Sequence, residues 1–408
     1  MLSLSKIEDT AIARRGSAAD PSNRRFIPQL ESLRGVCALL VATFHASQAR
    51  TGPKLNLVKD PRTWTDPVWN GLFWVYHNLT AGPGAVLVFF VLSGFVLTSS
   101  IERGPRDMRP AARHFLTGRI FRLYPAIIST VLLFCIAFWL TGAVIPGTAV
   151  ELYRPGNIVR NMLLLDANID GVMWTLQVEM LAIPLIFFAT FGRRRFGENF
   201  TLILSVCFIA LSVFRPYKHL IAGGGSLTFL YAFLFGVAIK QVGPRFIDWI
   251  GPRRLGWAIA VLLFLFFAPR AYLGQMSRWG RFFQCASAAG IIAVLVYGKE
   301  NMMWRILTWQ PFRFYGRISY SFFLLHPLTL LVIWTMPGTL SRLLDAGVPS
   351  VILAIALAIV SILAITPLAW LSWRFVELPG VALGRRLSPD RRNASPYVSA
   401  HGRVVDQP

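Results

Sequence analysis

Arg34 and His45 are the first residues in the chain whose types and spacing suit chemistry. Eleven positions separate them along the apolar run LRGVCALLVATFH. In a helix this spacing is three turns plus about 20°, so both side chains lie on one face, roughly 16 Å apart along the axis. A neutral imidazole suits general-base work near physiological pH. His45 is therefore a candidate base with a cation on the same polar stripe, and the alternative is a satisfied core histidine.

Glu179 and His326 also lie well inside apolar segments, where ionisable groups are costly unless they face a cavity or a partner. Glu179 can orient a histidine and stabilise its imidazolium form, or it can neutralise Arg34, and the residues leave both options open. His326 precedes Pro327, which kinks a helix and frees a backbone carbonyl. His326 is thus either part of the reactive site or bonded to that irregular backbone.

Two smaller patterns can serve a ligand. Arg119 and Arg122 are neighbours on one helix face and form either a phosphate clamp or a topology anchor. Ser93 and Gly94, within FFVLSGF, indicate either close helix packing or room for an extended ligand.

The composition indicates the elements that must hold these residues. Hydrophobic residues make up 55% of the 408 positions and charged residues only 15%, which is typical of a polytopic membrane protein. The net charge of +22 lies in short blocks between apolar segments and does not form a basic domain, so we expect no nucleic-acid partner. The four cysteines show neither zinc spacing nor a disulfide framework, and we expect no metal site.

The fold predicted is an all-α membrane helix bundle of about ten spans. Lys and Arg are concentrated in the tails and in alternate loops, which predicts cytoplasmic termini. We divide the chain into a polar cytoplasmic tail (1–29), a membrane domain (30–378) and a disordered basic cytoplasmic tail (379–408). The ten apolar segments run approximately over 30–49, 81–100, 124–146, 172–192, 199–215, 223–242, 255–273, 282–298, 315–336 and 349–375. The loop over 50–80 is rich in tryptophan and is either an interfacial aromatic belt or a surface on which sugars stack.

Six short stretches form an ordered set along the chain. They are Arg34-Gly35 with His45, FFVLSGF over 89–95, Arg119 and Arg122 with Tyr124-Pro125, Trp174-Thr175-Leu176 with Glu179, Arg317-Ile318-Ser319-Tyr320-Ser321 with His326, and FVELP over 375–379. Together they resemble the acyltransferase 3 family of integral membrane O-acyltransferases. Departures from the family pattern are Leu87, where an acidic residue is common, and Gly118, where a further arginine is often found.

The resemblance implies transfer of an acyl group, most often acetyl, from cytoplasmic acyl-CoA to a hydroxyl of an exported or lipid-linked saccharide such as lipopolysaccharide or exopolysaccharide. It implies a multi-pass protein of the bacterial inner membrane, with acyl-CoA as a substrate and no bound cofactor. The implied roles are a base or acyl carrier (His45), its orienting carboxylate (Glu179), acyl-CoA binding (Arg34, Arg119, Arg122 and Tyr124) and shaping of the cavity (Ser93, Trp174, Arg317, Ser319 and His326).

Two other functions fit the same residues. A proton-coupled transporter also uses intramembrane His, Glu and Arg on broken helices. A structural membrane subunit of a polysaccharide assembly machine is the third possibility. Acyl transfer by the purified protein in detergent separates the enzyme from a transporter. Loss of acyl decoration with intact polymer export argues against the structural subunit.

Overall fold

The structure is a computed structural model that describes residues 27–51, 55–141, 150–214, 226–274, 277–334 and 337–387. Within these ranges the secondary structure is helical and no strand forms, which confirms the all-α class. The predicted tails lie outside the described residues except at 27–29 and 379–387.

Fourteen α-helices are found in the described part of the chain. They are α1 (Pro28–Ala46), α2 (Pro67–Leu79), α3 (Gly82–Arg103), α4 (Met108–Thr141), α5 (Pro155–Met162), α6 (Trp174–Phe196), α7 (Asn199–Phe214), α8 (Leu230–Leu273), α9 (Arg278–Tyr297), α10 (Met302–Leu307), α11 (Gln310–Trp334), α12 (Pro337–Asp345), α13 (Ser350–Ser372) and α14 (Leu378–Leu387).

Six helical segments of the described chain are long and apolar enough to cross a membrane. They are Pro67–Arg103, Met108–Leu140, Gly171–Phe196, Leu227–Leu273, Arg278–Tyr297 and Ser350–Leu387. Helices α1 and α11 are not among them, and both carry charged residues that lower their hydropathy. Helix α8 contains a kink at Gly251, where φ is 66°, so it is two helices joined end to end. The count of ten spans and the cytoplasmic termini stay predictions.

Pairs of glycines let the central helices pack backbone to backbone. A Cβ atom on Gly35 would lie 2.4 Å from the backbone nitrogen of Gly316, so α1 and α11 cross in direct contact there. A Cβ on Gly94 would lie 2.1 Å from the Phe233 carbonyl oxygen, and one on Gly236 would lie 2.0 Å from the Val91 carbonyl oxygen. Close packing of small residues is a common way to join helices in membranes. These two crossings fix Arg34 and Ser93, the preceding residues, at the centre of the bundle.

The C-terminal part of the membrane domain contains a π-helical turn over Trp373–Glu377. The π-helical turn has one residue more than a turn of α-helix and is followed directly by α14, so the chain is helical as far as Leu387. The disordered tail was predicted to begin at 379, and residues 379–387 correct that boundary. The reason is packing, because Gly380 and Gly384 contact Phe121 of α4 so closely that a Cβ on either would clash with it.

The tryptophan-rich loop forms a short 3-10 helix over Pro61–Trp64 followed by α2. Trp64, Trp69 and Trp74 are 41%, 38% and 45% exposed, so their rings are available to lipid headgroups or to a sugar. Tyr76 faces the protein, and its hydroxyl donates to the Ala354 carbonyl at 3.2 Å.

Candidate functional site

A cavity of about 100 Å³ lies where α1, α3, α4, α6 and α11 meet. Six of the predicted site residues line it: Arg34, Ser93, Arg119, Arg122, Glu179 and Ser319. The remaining lining is mostly apolar and aromatic, with Phe89, Phe90, Tyr320 and Phe323 among its rings. Segments that are up to 289 positions apart in sequence therefore meet at one site.

Glu179 is bound by two residues of this cavity. Its Oε1 atom accepts a hydrogen bond of 2.8 Å from the Ser93 hydroxyl and lies 3.1 Å from Nη1 of Arg119. The side chains of Arg119 and Glu179 are only 12% and 18% exposed, so the ion pair is largely buried. The sequence left open whether Glu179 would meet His45 or Arg34, and the contacts found are with Arg119 and Ser93.

The charge in the cavity is strongly positive. Three guanidinium groups, from Arg34, Arg119 and Arg122, line it, and among the described lining residues the one carboxylate is that of Glu179. Arginine binds phosphate through paired N–H donors in a fixed plane, and such bonds are strongest where water is scarce. The cavity is thus suited to a phosphorylated ligand with an apolar end.

Glu377 is a buried carboxylate that the sequence interpretation left out of the site. The π-helical turn brings it beside α11, where its Oε2 atom accepts a hydrogen bond of 3.1 Å from the Ser321 hydroxyl. Arg122 and Arg34 are near enough to act on its charge. The FVELP stretch was the available signal, but its acidic residue could not be placed without knowing how the last helix ends. π-helical turns are frequent at functional sites.

His45 and His326 form a direct pair. The Nδ1 atom of His45 lies 2.9 Å from Nε2 of His326, and the two rings are stacked at 8°. His45 is on α1 and His326 on α11, the two helices that cross at Gly35 and Gly316. The partner of His45 is therefore a second histidine, and a carboxylate was expected in that role.

The backbone determines which ring nitrogens carry protons in this pair. Pro327 has no N–H group, so the Phe323 carbonyl four positions earlier lacks its usual helical donor. The Nδ1 atom of His326 lies 2.7 Å from that oxygen and must donate to it. Nε2 of a neutral His326 is then an acceptor, so His45 donates from Nδ1. The Nε2 atom of His45 is left with a lone pair, as a general base or a nucleophile requires.

Two phenylalanine rings lie between the cavity and the histidine pair. Phe323 lines the cavity, and its ring centroid is 5.8 Å from that of His326, one helical turn along α11. Phe89 also lines the cavity and meets Phe323 edge to face, with centroids 5.5 Å apart. The charged cavity and the histidine pair are thus neighbouring parts of one region, separated by a layer of rings.

Three predicted site residues lie elsewhere. Trp174 packs behind the cavity against Phe90 and Phe229, with ring centroids 6.0 and 5.1 Å away. Tyr124 is half-buried but does not line the cavity, and Arg317 is exposed on α11. Tyr320 takes the place expected for Tyr124, because it lines the cavity and its hydroxyl donates to the Leu123 carbonyl at 3.1 Å.

The sequence profile of the family described as Acyltransferase domain matches residues 27–374 of the chain. The match covers the charged cavity and the histidine pair. No curated protein and no solved structure matches the chain.

Proposed function

This chain belongs to the acyltransferase family whose profile spans residues 27–374, and from that membership we propose that it is an acyl-CoA-dependent O-acyltransferase. Its donor would be a cytoplasmic acyl-CoA, most simply acetyl-CoA. Its acceptor would be a hydroxyl of an exported or lipid-linked saccharide. The observation that carries this proposal is the arginine-lined cavity with the His45–His326 pair next to it.

The donor side of the proposal rests on charge. Coenzyme A carries several phosphate charges at one end and an uncharged thioester at the other. Arg34, Arg119 and Arg122 would hold phosphate oxygens, while the aromatic part of the cavity would take the pantetheine arm. The thioester would then approach the histidine pair past Phe89 and Phe323, whose rings would have to turn aside.

The chemical step needs a base at the acceptor hydroxyl. His45 Nε2 would take the hydroxyl proton while that oxygen forms a bond to the thioester carbonyl carbon. The carbon–sulfur bond then breaks, and the imidazolium returns the proton to the leaving sulfur, which gives the ester and free coenzyme A. His326 would stabilise the imidazolium by accepting from His45 Nδ1.

An acyl-enzyme is the second route through the same atoms. Here His45 Nε2 attacks the thioester carbonyl itself, coenzyme A leaves, and the acceptor hydroxyl then removes the acyl group from the ring. Trapping labelled protein with [14C]acetyl-CoA in the absence of an acceptor separates the two routes, because only the second leaves label on the protein.

The location that fits this reaction is a bacterial inner membrane. The donor and the acceptor would lie on opposite sides, with both termini in the cytoplasm. The ten spans would be the six long apolar segments, with α8 counted as two, together with α1, α7 and α11. The family match lends no support to a transporter.

The experiment that tests the proposal compares cells lacking this protein after complementation with wild type or with His45→Ala. Mass spectrometry of surface glycans should find an acyl ester with wild type and none with the variant at equal membrane abundance. The matched control is His114→Ala, which changes a histidine of α4 outside the site and should restore the ester. Full acylation by His45→Ala would overturn the assignment of the base, and purified protein in detergent that transfers no acyl group would overturn the function itself.

A further inference from the structure

Arg270 is a buried cation with unmet hydrogen-bonding capacity. The residue is only 6% exposed, and its Nε and Nη1 atoms are buried without a hydrogen-bond partner in the part of the chain that the structure describes. None of the ion pairs among the described residues involves it. A buried charge without a counter-charge is strongly unfavourable, and buried N–H groups are nearly always paired in native proteins. Both facts indicate that a negatively charged hydrogen-bond acceptor belongs beside this guanidinium.

The residues that hold Arg270 in place contribute no negative charge. Its Nη2 atom donates to Nε2 of His77 at 2.8 Å, because arginine can only donate. His77 therefore has its proton on Nδ1, 3.3 Å from the Ser47 hydroxyl, which itself donates to the Phe44 carbonyl at 2.7 Å. The guanidinium carbon lies 4.9 Å from the centroid of the Phe44 ring. Arg270 is thus fixed by an imidazole and an aromatic face and is left with its full charge.

A second, smaller cavity adjoins this arginine. Its walls include Pro83, Gly84, Arg270, Gly274, Arg281 and Gln284. Arg270, Gln284 and Gly84 are buried and form the floor, whereas Pro83 and Gly274 are exposed at the mouth. The free space is about 10 Å³, which is room for about one oxygen atom. It can hold one oxygen of a larger oxyanion whose remaining atoms stay outside.

This second cavity lies close to the histidine pair. The Phe44 ring that supports Arg270 is also 5.5 Å, between centroids, from the ring of His45. On α3, Gly84 of the small cavity precedes Val86 of the large cavity by two positions. Hence a ligand bound at Arg270 is separated from His45 by one aromatic ring.

We propose that Arg270, with Arg281 and Gln284, binds an oxyanion, a phosphate or a carboxylate, carried by the acyl acceptor. This inference rests on the proposed function, since it identifies the acceptor as an acidic or phosphorylated saccharide. An oxygen of the acidic group would accept an N–H bond from Nε or Nη1 of Arg270, while a hydroxyl of the same molecule reaches His45.

The test measures the melting temperature of the detergent-purified protein at constant ionic strength, with glucose 1-phosphate and glucuronate as probes and glucose as the neutral control. We expect each acidic sugar to raise the melting temperature saturably, by on the order of 2 °C at ten times its dissociation constant, and glucose to have no effect. Arg270→Gln should abolish the rise. Arg119→Gln should retain it, because Arg119 lines the other cavity.

Additional variants and ligands separate a failure of the site from a failure of the protein to fold. If Arg270→Gln does not fold, Arg281→Gln and Arg270→Lys serve in its place. Each variant should need at least ten times more probe than the wild type for the same rise in melting temperature. An unchanged response in all these variants would overturn the site. Stabilisation by phosphatidylglycerol in nanodiscs or by inorganic phosphate, without any response to the acidic sugars, would overturn the acceptor assignment. Binding of acyl-CoA by Arg270→Gln reports on the proposed function separately.

Discussion

His45 and His326 are joined by a 2.9 Å hydrogen bond between Nδ1 of the first and Nε2 of the second. The direction of this bond is set by the backbone. Pro327 leaves the Phe323 carbonyl without a helical donor, and that carbonyl accepts a hydrogen bond from His326 Nδ1. A proline thus determines, through two imidazoles, that the free lone pair of His45 is on Nε2. The first prediction follows from this relationship.

Pro327→Ala should lower kcat about 10²-fold. The new backbone N–H group competes with His326 for the Phe323 carbonyl, so the positions of the protons on the His326 and His45 rings are no longer fixed. KM for acyl-CoA should not change, since the donor cavity is separate from the pair. Steady-state kinetics of the purified protein measure both constants. Pro184→Ala in α6, an exposed helix proline away from the site, is the matched control and should leave kcat intact.

Glu179→Gln should leave the pH profile of kcat unchanged, because the bonds of Glu179 are to Arg119 and Ser93. It should also lower KM for acyl-CoA, since Arg119 no longer has a competing carboxylate. Breaking this largely buried pair should reduce the free energy of unfolding by about 3 kcal/mol.

Arg119→Gln should have the opposite effect on KM and raise it about tenfold, through loss of one charge-assisted phosphate bond. The pH profile of kcat is the decisive readout for the pair of variants. A profile that moves in Glu179→Gln would mean that this carboxylate acts on His45 after all.

Gly35→Ala should destabilise the protein by about 1–3 kcal/mol, because the added Cβ would lie 2.4 Å from the Gly316 nitrogen and force α1 away from α11. Activity should fall with stability, since the same crossing sets the distance between His45 and His326. Thermal unfolding in detergent measures the first effect and acyl transfer the second. Gly256→Ala adds the same methyl to an exposed position of α8 with nothing within 4 Å and should be tolerated.

Asp60→Asn should show how the tryptophan-rich loop is anchored. Hydrogen bonds from Arg62 lower the pKa of the buried Asp60 carboxyl to about 2, from an ordinary value of 3.8. Arg62 also lies 2.6 Å from Asp345, which ties the loop to α12. Because the pKa is lower in the folded state, the stabilisation is fully present above about pH 4 and is lost as the pH falls towards 2.

The difference in unfolding free energy between wild type and Asp60→Asn should therefore be about 2 kcal/mol at pH 7 and should disappear near pH 2. Denaturant titrations at several pH values measure it. Asp248→Asn, which changes an exposed carboxylate on α8, should have little effect at any pH. A difference for Asp60→Asn that is independent of pH would contradict the ion-pair explanation.

The sequence by itself determined the membrane character, the all-α class and six of the residues that line the large cavity. Hydropathy and charge are sums over many positions, so predictions made from them do not depend on any single contact. The positions of Arg34, Ser93, Arg119, Arg122, Glu179 and Ser319 in one cavity could be expected because charged and small polar groups inside apolar helices must face one another. The sequence also predicted that a backbone carbonyl near Pro327 would lack its helical donor, since proline has no N–H group in any context.

Only the tertiary structure decided which of these groups are partners. Pairing depends on how each helix is rotated and where it crosses its neighbours, and neither follows from spacing within a helix. The backbone contact of Gly35 with Gly316 brings His45 to His326, while Glu179 on α6 faces Arg119 on α4. The π-helical turn that brings in Glu377 adds a residue to a helix, and it is stabilised by packing between segments far apart in sequence. For the same reason the buried Arg270, an ordinary residue at a helix end by sequence, became visible as a site only in three dimensions.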